Sequence, residues 1–318
     1  MKRYLIQRCV QAVVILFGIS VLVFVAISLM PGDAVDAMFP PDSMVTPQAK
    51  AQMRRQLGLD APAPIRYIHW LGRAVRLNFG YSLSSQKPIS QIIWERMPTT
   101  LMLVGFALVL SVVLGLITGA IAALKQYSWL DYLLTLFSFT WLSIPEFFLG
   151  LLMIYVFAVR LNWFPAFGSS TAGAHNAVLD RLHHLVLPGL TLGLGLTAAL
   201  TRYVRSSLLD VLHSDYMRTA RAKGLRERIV VVRHGLRNAL IPFITVVAFR
   251  LPYLLGGAVI IETVFQWPGL GLLALTAASN RDYPLVMALA LAVTVVVVIS
   301  SLLADIAYAL ADPRIRYA

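Results

Sequence analysis

Three ionisable residues stand in stretches of this chain that otherwise leave little room for charge. Glu146 follows Pro145 inside a long apolar run, Arg250 lies in another run beside Pro252 and Gly256–Gly257, and Glu262 lies twelve residues further on. Charge is expensive inside hydrocarbon, so such residues are candidates for lining or gating a solute pathway. Each also has a plainer reading. Glu146 can take backbone donors freed by a helix break, and Arg250 can reach out to headgroups. An Arg250–Glu262 ion pair requires the segment to fold back at its prolines and glycines, because twelve residues of helix rise about 18 Å. His183 and His184 are adjacent, with His175 and Asp180 near, but this is a thin ligand set and no metal site is assigned. No Ser/His/Asp or Cys/His set suggests a hydrolase, and no catalytic residue is assigned. The pattern G-x-x-x-x-G-K-[ST] is absent, so the chain does not cradle nucleotide phosphates by that route.

A second candidate runs over Asp210–Ile241, DVLHSDYMRTARAKGLRERIVVVRHGLRNALI. Ser214 is placed to cap a helix whose first turn holds Asp215, the sign that suits a positive dipole end. That helix carries Arg218, Arg221 and Lys223 and meets Gly224, a natural left-handed terminator. A further helix is expected from Arg226, with Ile229, Val232, Leu236 and Leu240 at helical spacing. A short, capped, basic helix suits a partner's groove; a polybasic loop on anionic lipid is the alternative.

The elements that must position these residues are membrane spans. The sequence is 58% hydrophobic and 13% charged, with a mean hydropathy of +0.75, which is too little charge to cover a soluble protein of 318 residues. Six spans are predicted: Cys9–Met30, Pro98–Leu124, Tyr132–Val159 broken at Pro145, Leu185–Ala199, Leu240–Phe265 and Pro284–Leu310. The first is too long for a signal core and reads as a retained anchor. The net charge of +12 is explained by orientation rather than by nucleic acid. The termini, the turn at Lys125 and the Arg202–Arg237 loop hold fifteen basic residues, against three in the short loops opposite. The positive-inside rule therefore puts both termini in the cytoplasm.

The expected domains are 1–30 (tail and first span), 31–97 (an external segment) and 98–318 (a five-span core with a cytoplasmic loop at about 210–240). Within the external segment, Thr46 and Pro47 start a helix that Gly58 stops. Ile65–Leu77 reads as a second helix, with Tyr67, Trp70, Leu71 and Ala74 on a face suited to the membrane surface or the transmembrane core. Gly115 and Gly119, and Gly189, Gly193 and Gly195, make small-residue faces for close helix packing. Cys9, the single cysteine, reads as an apolar filler.

Arg218-Thr219-Ala220-Arg221-Ala222-Lys223-Gly224 resembles the "EAA…G" loop of binding-protein-dependent ABC importer permeases. It departs from the general motif at Arg218, where that motif has Glu, and at Arg237, where it has Pro. It is similar to the version in the oligopeptide, dipeptide, nickel and glutathione branch, "RTARAKGL…RHGLRNALIP". The same branch is matched by "MPGD" (Met30–Asp33), "NFGYSL" (Asn78–Leu83), "IETVFQWPGLG" (Ile261–Gly271), "NRDYPLV" (Asn280–Val286) and "DPRIRY" (Asp312–Tyr317). The resemblance implies an all-α, six-span transmembrane domain of the bacterial inner membrane. It implies that Asp215, Arg218, Thr219, Ala220, Arg221, Ala222, Lys223 and Gly224 form a coupling helix in a cleft of an ATPase subunit. The implied partners are a homologous C-type permease, two cytoplasmic ABC ATPase subunits that bind the ATP and magnesium, and an extracytoplasmic solute-binding protein. Membrane lipid surrounds the assembly and no nucleic acid is involved. The implied solute is a di- or oligopeptide, with nickel, glutathione or opines as alternatives. An ion-gradient-driven secondary transporter is the rival of another class, and the inverted repeat and midplane ion site it would show are missing from the sequence.

Overall fold

The computed structural model describes residues 2–29, 32–33, 35–36, 39, 45–56, 58–224, 226–231, 235 and 237–311. Most of the described residues are helical, and an isolated bridge joins Tyr81 and Pro88. The principal helices are α1 (Lys2–Ser28), α2 (Pro47–Gln56), α3 (Ala63–Ala74), α4 (Ile89–Leu124), α5 (Trp129–Ser143), α6 (Glu146–Met153), α7 (Ala177–Leu212), α8 (Asp215–Ala222), α9 (Arg237–Val264), α10 (Leu270–Ser279) and α11 (Tyr283–Ala311). A π-helical stretch, Ile154–Arg160, follows α6, and a helical turn, Glu227–Ile229, follows α8.

Four of these contain segments long and apolar enough to cross a membrane: Ile6–Ser28, Ile89–Leu124, Ala177–Leu212 and Tyr283–Ile306. Trp129–Ser143 and Glu146–Arg160 qualify together as a pair bent by 107°. The cause is local. The residue before a proline is pushed out of the helical region, and Ile144 is extended at φ −87°, ψ 126°. The remaining predicted position is held by the 28-residue α9, whose described apolar part is Pro252–Val264.

Two boundaries and one additional helix differ from the sequence expectation. Helix α4 begins at Ile89 and carries Pro98 inside it, because Ile89, Ile93 and Met97 form an apolar stripe against α10 and α11. Helix α7 runs 36 residues, about 54 Å and more than hydrocarbon requires, so Arg202–Leu212, expected in a loop, is helical and continuous with the span. Its polar residues are accommodated in place: Arg205 pairs with Asp131, and the Arg202 guanidinium lies 5.5 Å over the Phe139 ring. Helix α10 had no counterpart in the expected spans, being too short to cross.

The chain packs as two compact units, Met1–Thr100 with Pro268–Val298, and Leu101–Trp267 with Ile299–Ala318. In the first unit, Thr46 caps α2 by accepting a hydrogen bond from the Ala49 N–H at 3.3 Å, and Gly58 follows at φ +67°. Asp33 and Asp36 share the Arg54 guanidinium at 2.5 and 2.9 Å. Burial pushes the Asp33 carboxyl up, but the Arg54 and backbone hydrogen bonds outweigh it and hold the group below its usual range. Tyr67, Trp70, Leu71 and Ala74 of α3 pack on Val23, Phe24 and Ile27 of α1 and on Met287 and Leu291 of α11. That is the core-facing choice of the two open to this helix.

Two of the quoted motifs meet in this unit. Asp282 is fully buried at the N-terminus of α11, where its Oδ1 accepts from the Leu285 N–H at 3.3 Å. Its Oδ2 accepts from the Ser82 hydroxyl at 2.6 Å, the Ser84 N–H at 3.1 Å and the Ser84 hydroxyl at 2.9 Å. One carboxylate thereby ties the loop after Asn78–Leu83 to the start of α11.

In the second unit, α4 and α7 approach until backbones nearly touch. A Cβ on Gly115 would lie 2.6 Å from the Leu200 Cβ, and one on Gly119 2.6 Å from the Val204 Cβ. A Cβ on Gly189 would collide with the Phe106 ring, and one on Gly193 would lie 3.0 Å from the Ala107 carbonyl. Ser111 donates across the seam to the Gly193 carbonyl at 2.7 Å, and the Thr118 and Thr201 hydroxyls meet at 2.6 Å. Gly195 departs from the expectation, because the space around it is open.

Candidate functional site

Two places gather the residues singled out by chemistry, both in the second unit. The first is α8 and its turns. Ser214 stands at the N-cap position with extended backbone, but its hydroxyl donates back to the Val211 carbonyl at 2.5 Å rather than capping the helix. The expected side-chain cap is therefore corrected, although Asp215 still lies in the first turn. Met217 and Ala220 turn inward and pack with Val230 against Val211 and Leu212 of α7. Burying a methionine side chain stabilises by roughly 1.5–3 kcal/mol, enough to seat a helix of two turns.

The opposite face is open. Asp215 is 97% exposed and Arg218 74%, with 3.8 Å between their charged atoms. Thr219, Ala222 and Lys223 are exposed as well. Gly224 ends the helix at φ +72°, and its N–H donates to the Arg221 carbonyl at 2.9 Å. Arg221 reaches past this turn to Glu227 at 2.9 Å. That hydrogen-bonded pairing holds the Glu227 carboxyl below its usual range. The expected helix from Arg226 is present as the turn Glu227–Ile229; Val232 and Leu236 lie outside the described residues, as does the tail motif Asp312–Tyr317.

The second place is the bend between α5 and α6. Glu146 opens α6, where a carboxylate suits the helix dipole. Its Oε1 accepts a hydrogen bond from the Tyr253 hydroxyl of α9 at 3.1 Å. Its other oxygen lies 2.9 Å from where a Cβ on Gly257 would stand, so a side chain there would displace it. Arg250, one turn before Tyr253, holds its guanidinium 5.8 Å from the centre of the Tyr253 ring. Glu146 and Arg250, nominated separately, are thus linked through a tyrosine that sequence reasoning missed. Its signal was the spacing of three from Arg250, which puts both on one helix face.

Glu262 is elsewhere. It is fully buried and its carbonyl accepts the Trp267 N–H at 2.8 Å, so it contributes nothing to an open surface of this chain. The histidines divide between different partners: His183 Nε2 meets the Trp163 carbonyl at 2.7 Å, and His184 Nδ1 the Asp180 carbonyl at 2.9 Å.

An all-helical membrane core with a short basic helix seated at the end of α7 is the architecture the sequence motifs implied. Residues 111–317 match the family model described as the binding-protein-dependent transport system inner membrane component. Residues 1–104 match the model for the N-terminal part of such membrane components. The chain belongs to this family.

The permease is 42% identical over 318 residues to the oligopeptide transport system permease protein AppB of Bacillus subtilis (strain 168), covering all of both chains. It is 40% identical over 321 residues to the glutathione transport system permease protein GsiC of Escherichia coli (strain K12), again with full coverage of both. Among solved structures, an amino acid ABC transporter with histidines matches with a TM-score of 0.51 at 14% identity, over 69% of this chain and 94% of that one. That likeness concerns the fold. The permease is a non-catalytic, multi-pass membrane component of an ABC importer, which sets the ion-gradient alternative aside.

Proposed function

We propose that the permease forms, with a second homologous permease, the pathway of an importer for small peptides. Two cytoplasmic ATPase subunits bind ATP and magnesium and drive it, and an extracytoplasmic receptor delivers the solute. The observation that carries this reading is α8. Its apolar side is anchored by Met217 and Ala220, while Asp215, Arg218 and Lys223 face away from the anchor. A helix held this way transmits a push without unfolding and offers a charged face to a docking groove. Closure of the ATPases on ATP would then move α7 through α8, and the bent α5–α6 pair with Glu146, beside Arg250 of α9, would line the route that opens.

Peptide as the solute is supported by relatives named for oligopeptide and glutathione transport, glutathione being itself a tripeptide. Nickel and opines are the remaining alternatives. The test is uptake of labelled di- and tripeptides by cells that depend on this permease, with copurification of the ATPase subunits. No peptide uptake would refute the solute, and a permease purified without ATPases would refute the docking role of α8.

The basic residues around Lys125 and α8 support a cytoplasmic side for both termini. Cytoplasmic reporters fused after Lys125 and Ala222 should be active, and those after Pro62 and Ala174 silent. Activity at Ala174 would make the bent pair a re-entrant loop rather than a span.

A further inference from the structure

Glu146, Tyr253 and Arg250 form a line of polar groups on α6 and α9, in segments that are otherwise apolar. The tyrosine is 54% exposed, Arg250 is exposed and Glu146 half-buried. Among the described residues, no opposite charge lies within ion-pair distance of either Glu146 or Arg250. An isolated charge at the centre of a span costs about 2.5–3.5 kcal/mol on insertion scales, so a carboxylate and a guanidinium that do not reach each other call for water or a charged visitor. Gly257 adds a second observation. Its missing side chain leaves the space the Glu146 carboxylate occupies, 2.9 Å from the position a Cβ would take, and the Tyr253 hydroxyl bonds the other oxygen. The negative end is thereby fixed, the positive end lies on the neighbouring helix, and an aromatic face spans the gap.

We infer that this line is a subsite for the two free ends of a short peptide, with the ammonium at Glu146, the carboxylate at Arg250 and the peptide backbone along Tyr253. This rests on the peptide reading above and adds which peptides are taken. The hydrogen bond of 3.1 Å and the ring distance of 5.8 Å, joined by one phenol, put the charges at most about 12 Å apart. Extended chain covers about 3.3–3.6 Å per residue, which matches two or three residues. Longer peptides would reach only one end. A peptide capped at either end would leave one of the two charges unpaired.

The test uses the intact importer reconstituted without its receptor, and measures binding of labelled trialanine against N-acetyl-trialanine and trialanine amide. Wild type should prefer the free peptide over either capped form by about tenfold, the scale of one charge-assisted contact. Glu146→Gln should erase the preference over the acetylated form alone, and Arg250→Gln the preference over the amide alone. Arg250→Lys should keep the latter, which separates loss of charge from loss of fold. Equal competition by all three peptides in wild type, or variants that shift both preferences together, would overturn the subsite. Receptor-dependent uptake of trialanine by the wild type is run alongside. Uptake without end-selective binding removes the subsite and leaves the peptide importer standing, whereas no uptake removes both.

Discussion

The Asp282 knot and the α8 loop handle ionic side chains in opposite ways. Asp282 is fully buried, and three groups of the Ser82–Ser84 loop donate to one of its oxygens. Around α8 the apolar side chains are buried and the charges stand outside, paired only loosely with each other, as between Asp215 and Arg218 at 3.8 Å. A satisfied, buried carboxylate fixes chain geometry and has no capacity left for a partner. Exposed pairs contribute about 0–1 kcal/mol each, so their charges are free to be exchanged for those of a docking surface. Quoted side by side as motifs, these stretches do different work: one fixes the Ser82–Ser84 loop to the start of α11, and the other presents a face.

Substitutions should separate the two by their ratio of stability loss to functional loss. The largest stability effect is expected at the knot. Asp282→Ala strands the Ser82 and Ser84 donors in a buried setting, at about 1–3 kcal/mol for each unsatisfied group. The detergent-solubilised permease should lose thermal stability and become sensitive to protease near residue 82. An Asp282→Ala protein as stable as wild type would show that the knot is incidental.

Gly224→Asp comes next in stability and first in function. Nothing lies within 4 Å of the position a Cβ would take there, so the cost is confined to the left-handed backbone, about 1–2 kcal/mol. The added carboxylate also faces the negative end of α8. Normal insertion with abolished uptake is expected, the ATPases either dissociating or ceasing to respond to loaded receptor. Wild-type uptake in this variant would leave α8 without a coupling role.

The smallest effect is expected at Glu227→Gln, which removes the pair with Arg221. An exposed pair of this kind contributes about 0.5 kcal/mol, so uptake should stay near wild type. The folded carboxyl titrates below its ordinary value of 4.5, so the contribution is complete above that value and disappears as pH falls through the lower folded one. A spin label at Ala222 should therefore be equally mobile in wild type and variant at low pH, and differ slightly at neutral pH. A large difference at neutral pH would move this pair from the periphery to the centre of the loop's order.

Legibility followed the physical source of each signal. Spans built of unbroken apolar residues, such as α1 and α11, were readable because hydropathy alone specifies them. The left-handed stop at Gly224 and the Thr46 cap were readable because turn chemistry is local. The length of α7 was hidden, since Arg202 and Arg205 signal a loop until Phe139 and Asp131 are placed against them in space. Helix α10 was hidden because a ten-residue apolar stretch behind Pro268 and Gly269 carries no periodicity that separates it from a turn. At the bend, Glu146 and Arg250 were visible as misplaced charges. Tyr253 was not, because a tyrosine in an apolar run draws no notice until its hydroxyl meets the carboxylate.

The glycine seam between α4 and α7 has a mechanical consequence. Its contacts run along α7 from Gly189 to Val204 and along α4 from Phe106 to Gly119, about 20 Å of helix, so neither helix can tilt or slide without separating from the other. The two therefore move as one body, a splint rather than a hinge. Spin labels at Val178 and on α4 should keep their separation when ATP binds, and Gly119→Val, which prises the seam open at one end, should let that separation change.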